Sequence, residues 1–175
     1  MKKYEKTCDF LNVPFFFSQE TDYANLLSIR LYEYSRADFD CTTSNTYAFN
    51  RIFAVISSRG QGSTVGSPMF GGELPMEPGT LFFFSAGVPV SFHFRPGTCF
   101  YAFHYNLQLL PFSEIFLSFP HMERKTAPEI IQEFDRISRL PLDGIQRACK
   151  IKGTLFQITA DFLPRNLMTF QNAVT

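Results

Sequence analysis

The chain has 175 residues, 45% of them hydrophobic and 17% aromatic, with 22 Phe, 7 Tyr and no Trp; that is the size of one domain plus an appendage, long enough to bury a core. Lys and Arg number 16 and so do Asp and Glu, so the basic footprint of a nucleic-acid-binding domain is missing. Cys8, Cys41, Cys99 and Cys149 stand far apart with no Cys-x-x-Cys, which excludes zinc-finger spacing and argues against a disulfide framework. The apolar run from Val13 to Phe17 is too short for a signal-peptide core and is broken by Pro14, and no segment reaches transmembrane length, so a cytoplasmic protein with no membrane partner is expected.

Residues 1–24 have no clear period and read as an arm whose Phe15, Phe16 and Phe17 dock on the body. Leu26 to Tyr34 alternates, with Leu27, Ile29 and Leu31 on one face, and reads as a strand; a short strand follows around Phe39 to Thr43. Tyr47 to Ser57 is a stronger strand, apolar on both faces and therefore covered on both. Arg59-Gly60-Gln61-Gly62 closes it as a turn, and short strands around Ser63 to Val65 and Met69 to Met76 come next.

Glu77 to Leu107 holds three apolar runs rich in Phe, Tyr and Val, cut by Gly- and Pro-containing breaks, and reads as a meander of strands in a sandwich or barrel. On its last strand Tyr101, Phe103, Tyr105 and Leu107 share one face and Phe100, Ala102, His104 and Asn106 the other. Phe92 and Phe94 share a face of the strand before it. In all, about seven or eight short strands with turn signals between them are expected.

Beyond Leu110 the pattern becomes helical, and Pro111 to Phe119 holds one or two turns. Thr126-Ala127-Pro128-Glu129 reads as a capping box that opens a helix with Ile130, Ile131, Phe134 and Ile137 at helical spacing, stopping near Pro141. A second helix starts at Asp143 and ends at Pro164. Its stripe of Ala148, Ile151, Leu155, Ile158 and Phe162 is heptad-like, the pattern of a dimer seam. Strands first and helices after exclude a doubly wound α/β fold. The division expected is residues 1–110 as a β unit with its arm and 111–175 as a helical dimerisation segment leading into a linker.

Little in the chain points to catalysis. The histidines are His93, His104 and His121; the first two lie on neighbouring strands, but a metal centre needs three or four converging ligands and no His-x-His occurs. Gly-x-Ser-x-Gly is absent, and Gly60-Gln61-Gly62-Ser63 has neither the lysine nor the following helix of a phosphate loop. Asp38 with Asp40, and Glu73 with Glu77, read as solvated loop charges. The chain is not expected to be an enzyme, and no cofactor or metal is expected.

Three stretches carry a family resemblance: Ile56-Ser57-Ser58-Arg59-Gly60-Gln61-Gly62, then Met76-Glu77-Pro78-Gly79-Thr80-Leu81-Phe82-Phe83-Phe84 with the Ala86-Gly87-Val88-Pro89 turn, and Tyr101 to Asn106. In these, over about residues 26–163, the chain resembles the N-terminal effector-binding and dimerisation domain of AraC-type transcriptional regulators. The resemblance implies a cupin-like jelly-roll barrel followed by helices, with a sugar or other small effector in the barrel and the N-terminal arm as its lid. It further implies a homodimer through the C-terminal helices, and DNA read only by a helix-turn-helix domain downstream. Matched to the pocket pattern are Phe92, Tyr101 and Phe103; Tyr105 shares the face of the latter two, and Asn45 and Arg51 are taken as partners for polar groups of the ligand. Two alternatives stand beside this reading, a metal-dependent cupin enzyme and a dimerisation scaffold with a filled core.

Overall fold

The computed structural model describes residues 27–58, 62–109 and 114–163. The expected N-terminal arm, most of the Arg59–Gly62 turn and the residues from Pro164 onward lie outside these. Among these residues nine strands and two α-helices follow one another: β1 (Leu27–Ala37), β2 (Cys41–Thr46), β3 (Asn50–Ser58), β4 (Thr64–Ser67), β5 (Gly72–Pro75), β6 (Thr80–Phe84), β7 (Pro89–Phe94), β8 (Thr98–Leu109), β9 (Met122–Thr126), α1 (Pro128–Arg139) and α2 (Gly144–Phe162). A five-stranded antiparallel sheet of order β1-β8-β3-β6-β9 and a four-stranded one of order β2-β7-β4-β5 make up the β part.

These elements form three layers. Phe53, Val55, Val65, Met76, Phe82, Phe84, Val88, Val90, Phe94, Phe100 and Ala102 form the core between the sheets. The outer face of the five-stranded sheet supplies Ile29, Ile52, Ala54, Leu81, Phe83, Tyr101, Phe103, Tyr105 and Leu107 to a second core shared with both helices. Alternation along β3 explains its doubly apolar sequence: Ile52 and Ala54 go to the helices, Phe53 and Val55 to the sandwich interior. Residues on both sides of position 110 thus share one core, and β9 adds itself to the sheet edge beside β6.

The three runs of Glu77 to Leu107 become β6, β7 and β8, but they do not form the expected meander, since no two of them pair. Each break carries the chain from one sheet to the other. At Ser85–Val88 the Val88 amide donates to the Ser85 carbonyl at 3.2 Å, and Gly87 takes a φ of +81°, a conformation that side chains disfavour. The sheets stay separate: β1 and β2, their edge strands on one side, do not pair, and no closed barrel forms.

Pro128 opens α1 as expected, yet the capping box is not made. Thr126 is committed to the ladder opposite Thr80, so the cap position falls to Ala127, which has no side-chain acceptor. Asp143 does cap α2, accepting from the Gln146 amide at 2.7 Å. The stripe expected as a dimer seam is mostly spent inside the chain: Ile151, Leu155, Ile158 and Phe162 are buried, with Phe162 stacked on Phe83 at 4.5 Å between ring centroids. Ala148 alone of the five is exposed. A two-sheet sandwich open to helices on one face needs an apolar lid, and α2 is that lid.

Leu155→Asp therefore places a carboxylate in a dry core, at a cost of several kcal/mol against a total stability of about 5–15. Loss of the cooperative urea transition is expected; a well-folded monomer by light scattering and circular dichroism would contradict this placement.

Candidate functional site

On the β1/β2 side the interior of the sandwich is not filled. A cavity of about 420 Å³ opens there, lined from five strands by Glu33, Ser35 and Ala37, by Cys41, Thr43 and Asn45, by Arg51 and Phe53, by Phe92 and Phe94, and by Phe100, Ala102 and His104, with Phe39 and Tyr47 also on the wall. That volume lies in the range of small-molecule sites, about 300–1,000 Å³. Its apolar wall is a packed group of rings. Phe92 stacks on Phe94 at 4.6 Å, and Phe53 meets Phe94 and Phe100 edge-on, each at 5.8 Å. Because the rings are fixed against each other, they support an open chamber and do not fall into it.

A bulge in β1 completes the polar side. Leu31 faces Tyr105 and the helix-side core, but the register shifts by one before Glu33, which then lies opposite His104. The shift swaps the faces, so odd-numbered residues after it line the cavity. Glu33 accepts from His104 Nδ1 at 2.9 Å. A carboxylate only accepts, so Nδ1 carries the proton and Nε2 of the neutral ring is left as an acceptor. Burial lowers the His104 pKa, opposed by Glu33 and reinforced by Arg51, so the ring is neutral at pH 7.

Arg51 is the other polar feature. It is only 1% exposed. Nη1 donates to Asn45 Oδ1 at 2.5 Å and Nη2 to the Val88 carbonyl at 2.7 Å. Nε is buried and has no hydrogen-bond partner among the described residues. The guanidinium lies over the Tyr47 ring, 5.2 Å from its centroid. Burial pulls its pKa down to about 10, which leaves it cationic at neutral pH.

Of the ligand-binding residues expected from sequence, the fold brings together Asn45, Arg51 and Phe92 at this cavity. Tyr101, Phe103 and Tyr105 are not there. They project from the opposite face of β8 into the helix-side core, where Phe103 meets Phe134 at 4.2 Å. The tyrosine hydroxyls are used there too: Tyr101 donates to Asp135 at 3.2 Å and lies 3.1 Å from the Ser138 hydroxyl, and Tyr105 shares a 2.8 Å bond with Thr159. The β8 residues that do reach the cavity are Phe100, Ala102 and His104. The alternation that separates the two faces was readable; which sheet each would meet was not. Sequence reading also missed Glu33, which only the bulge brings inward.

The histidines do not converge. His93 Nδ1 lies 3.2 Å from Thr42 Oγ1, His104 pairs with Glu33 and His121 with Glu123. Among the described residues no group of three or more His, Cys, Asp or Glu is placed to hold a metal ion. Among them, too, no helix is long and apolar enough to cross a membrane. No protein-family model matches the chain, and no curated protein matches it.

Because the folded state lowers the His104 pKa, it binds this proton less readily than the unfolded chain. Stability is therefore full above the unfolded value, about 6.5, and falls as pH drops below it, by at most about 1.4 kcal/mol per pH unit. His104→Gln should flatten the urea-midpoint profile between pH 7 and pH 5. A profile as steep as that of the parent would contradict the role given to this ring.

Proposed function

We propose that the chain is the ligand-sensing domain of a transcription regulator of the AraC type, binding a small molecule between its two sheets. The observation that carries this reading is the open, ring-walled cavity, with two oriented polar groups in an otherwise packed sandwich. A scaffold serving only dimerisation has no use for such a void, which costs dispersion contacts along its whole lining. The order β1-β8-β3-β6 facing β2-β7-β4-β5 supports reading the sandwich as a cupin-like jelly roll of two Greek keys. A regulator of this kind reads DNA through a separate domain, in keeping with the formal net charge of zero on this one.

Dimerisation, in this reading, uses the outer face of α2. Ile145 and Phe156 are exposed there, 79% and 37%, and Cys149 and Lys152 lie between them at helical spacing. Phe156→Asp touches no core residue of the seam. It should convert a dimer to a monomer by light scattering with little change in the melting temperature; a dimer that persists places the contact elsewhere.

The sensor reading is tested by thermal shift against small molecules, since a ligand that binds only the folded state must raise the midpoint. Ala102→Phe fills the cavity from the centre of β8 and should abolish every shift seen with the parent while the far-ultraviolet dichroism is kept. Shifts unchanged in that variant would remove the cavity as the binding site.

A further inference from the structure

We infer that the ligand of this cavity is a small monoanion, a carboxylate on an apolar or aromatic body, recognised through Arg51. This rests on the cavity being the binding site and adds the chemical class of what fills it. A guanidinium has five N–H donors in a planar fork. Among the described residues Arg51 makes two hydrogen bonds, both to neutral oxygens, one an amide and one a backbone carbonyl, and its Nε has no partner. Buried cations are ordinarily paired with an anion. Here the one carboxylate among the described lining residues, Glu33, is bonded to His104 and has a side chain 52% exposed.

The charge therefore stands ready for an anion that comes from outside. Asn45 Oδ1 holds the place that a carboxylate oxygen would take, and the exchange turns a neutral acceptor into a charge-assisted one.

The rest of the wall decides between anions. Among the described residues of the lining Arg51 is the only Arg or Lys, and His104 is neutral at pH 7. One positive charge balances a carboxylate but leaves a phosphate dianion half compensated in a site of low dielectric. Phe53, Phe92, Phe94 and Phe100 offer nothing to hydroxyls and much to a ring or a short hydrocarbon. A neutral sugar would leave the guanidinium uncompensated.

The test uses the 175-residue chain and matched pairs that differ in charge alone: phenylacetate against phenylacetamide and hexanoate against hexanamide, with phenyl phosphate as a dianion, by isothermal titration at pH 7 and low salt. The acids should bind about tenfold or more tightly than their amides, the scale of one charge-assisted hydrogen bond, and this preference should vanish in Arg51→Gln. Equal binding of acid and amide overturns the inference, as does an acid preference that survives Arg51→Gln, or phenyl phosphate binding above both acids. Amides that bind where acids do not overturn it while leaving the cavity as a binding site. Silence from all five compounds counts against the cavity reading as well.

Discussion

A guanidinium buried between two sheets and met, among the described residues, by two neutral oxygens and an aromatic ring is the feature on which the rest of this structure turns. An isolated buried charge costs several kcal/mol even after relaxation. The fold lessens the cost for Arg51 with the Val88 carbonyl, the Asn45 side chain and the face of Tyr47, yet no carboxylate among the described residues pairs with it. A residue kept for packing at the start of β3 would be apolar, as Phe53 and Val55 are two and four positions further along the same face. The cation makes physical sense only together with the space next to it.

That space exists because the five-stranded sheet serves two interiors. Every second residue of β3 and β8 belongs to the helix-side core, which is solid: Phe103 lies against Phe134, Phe83 against Phe162, and the tyrosine hydroxyls are bonded to α1 and α2. The residues between them face the smaller sheet. There the core is filled around Phe82, Phe84, Val88 and Val90 but open toward β1 and β2. The helices hold the sheet rigid from outside, so the rings on its inner face need not collapse to stabilise it. Asn50 secures the nearby corner: its side chain donates to Glu114 at 2.9 Å and accepts from the Ala86 amide at 2.8 Å, all of it buried.

Much of this was legible in the residues. The strong apolar period marked both helices, Pro141 and Pro164 marked their ends, and Asp143 marked a start. The doubly apolar β3 announced a sheet covered on both sides, and Asn45 and Arg51, taken as partners for polar groups of a ligand, do lie on the cavity wall. What was not legible depended on contacts far apart in sequence. Strand pairing between β6, β7 and β8 is set by which sheet each crosses to, and a turn sequence carries no such address. Tyr101, Phe103 and Tyr105 were expected at the pocket and lie in the helix-side core, because tyrosines suit a pocket and a helix-covered core equally well. The β1 bulge leaves no signature in Leu31-Tyr32-Glu33, and β9 reads as Met-Glu-Arg-Lys-Thr, three charges in five residues, because it is an edge strand whose charged side chains reach water.

The central claim is that Arg51 is held for a ligand and not for the fold, and the stability of the empty protein tests it most directly. Arg51→Met removes the charge and keeps most of the volume. The relief of desolvation should offset the lost bonds to Val88 and Asn45, so urea denaturation should place the variant within about 1 kcal/mol of the parent. A loss of about 3–5 kcal/mol, the mark of a broken buried ion pair, would show the guanidinium to be a structural member of the sandwich and would contradict the account.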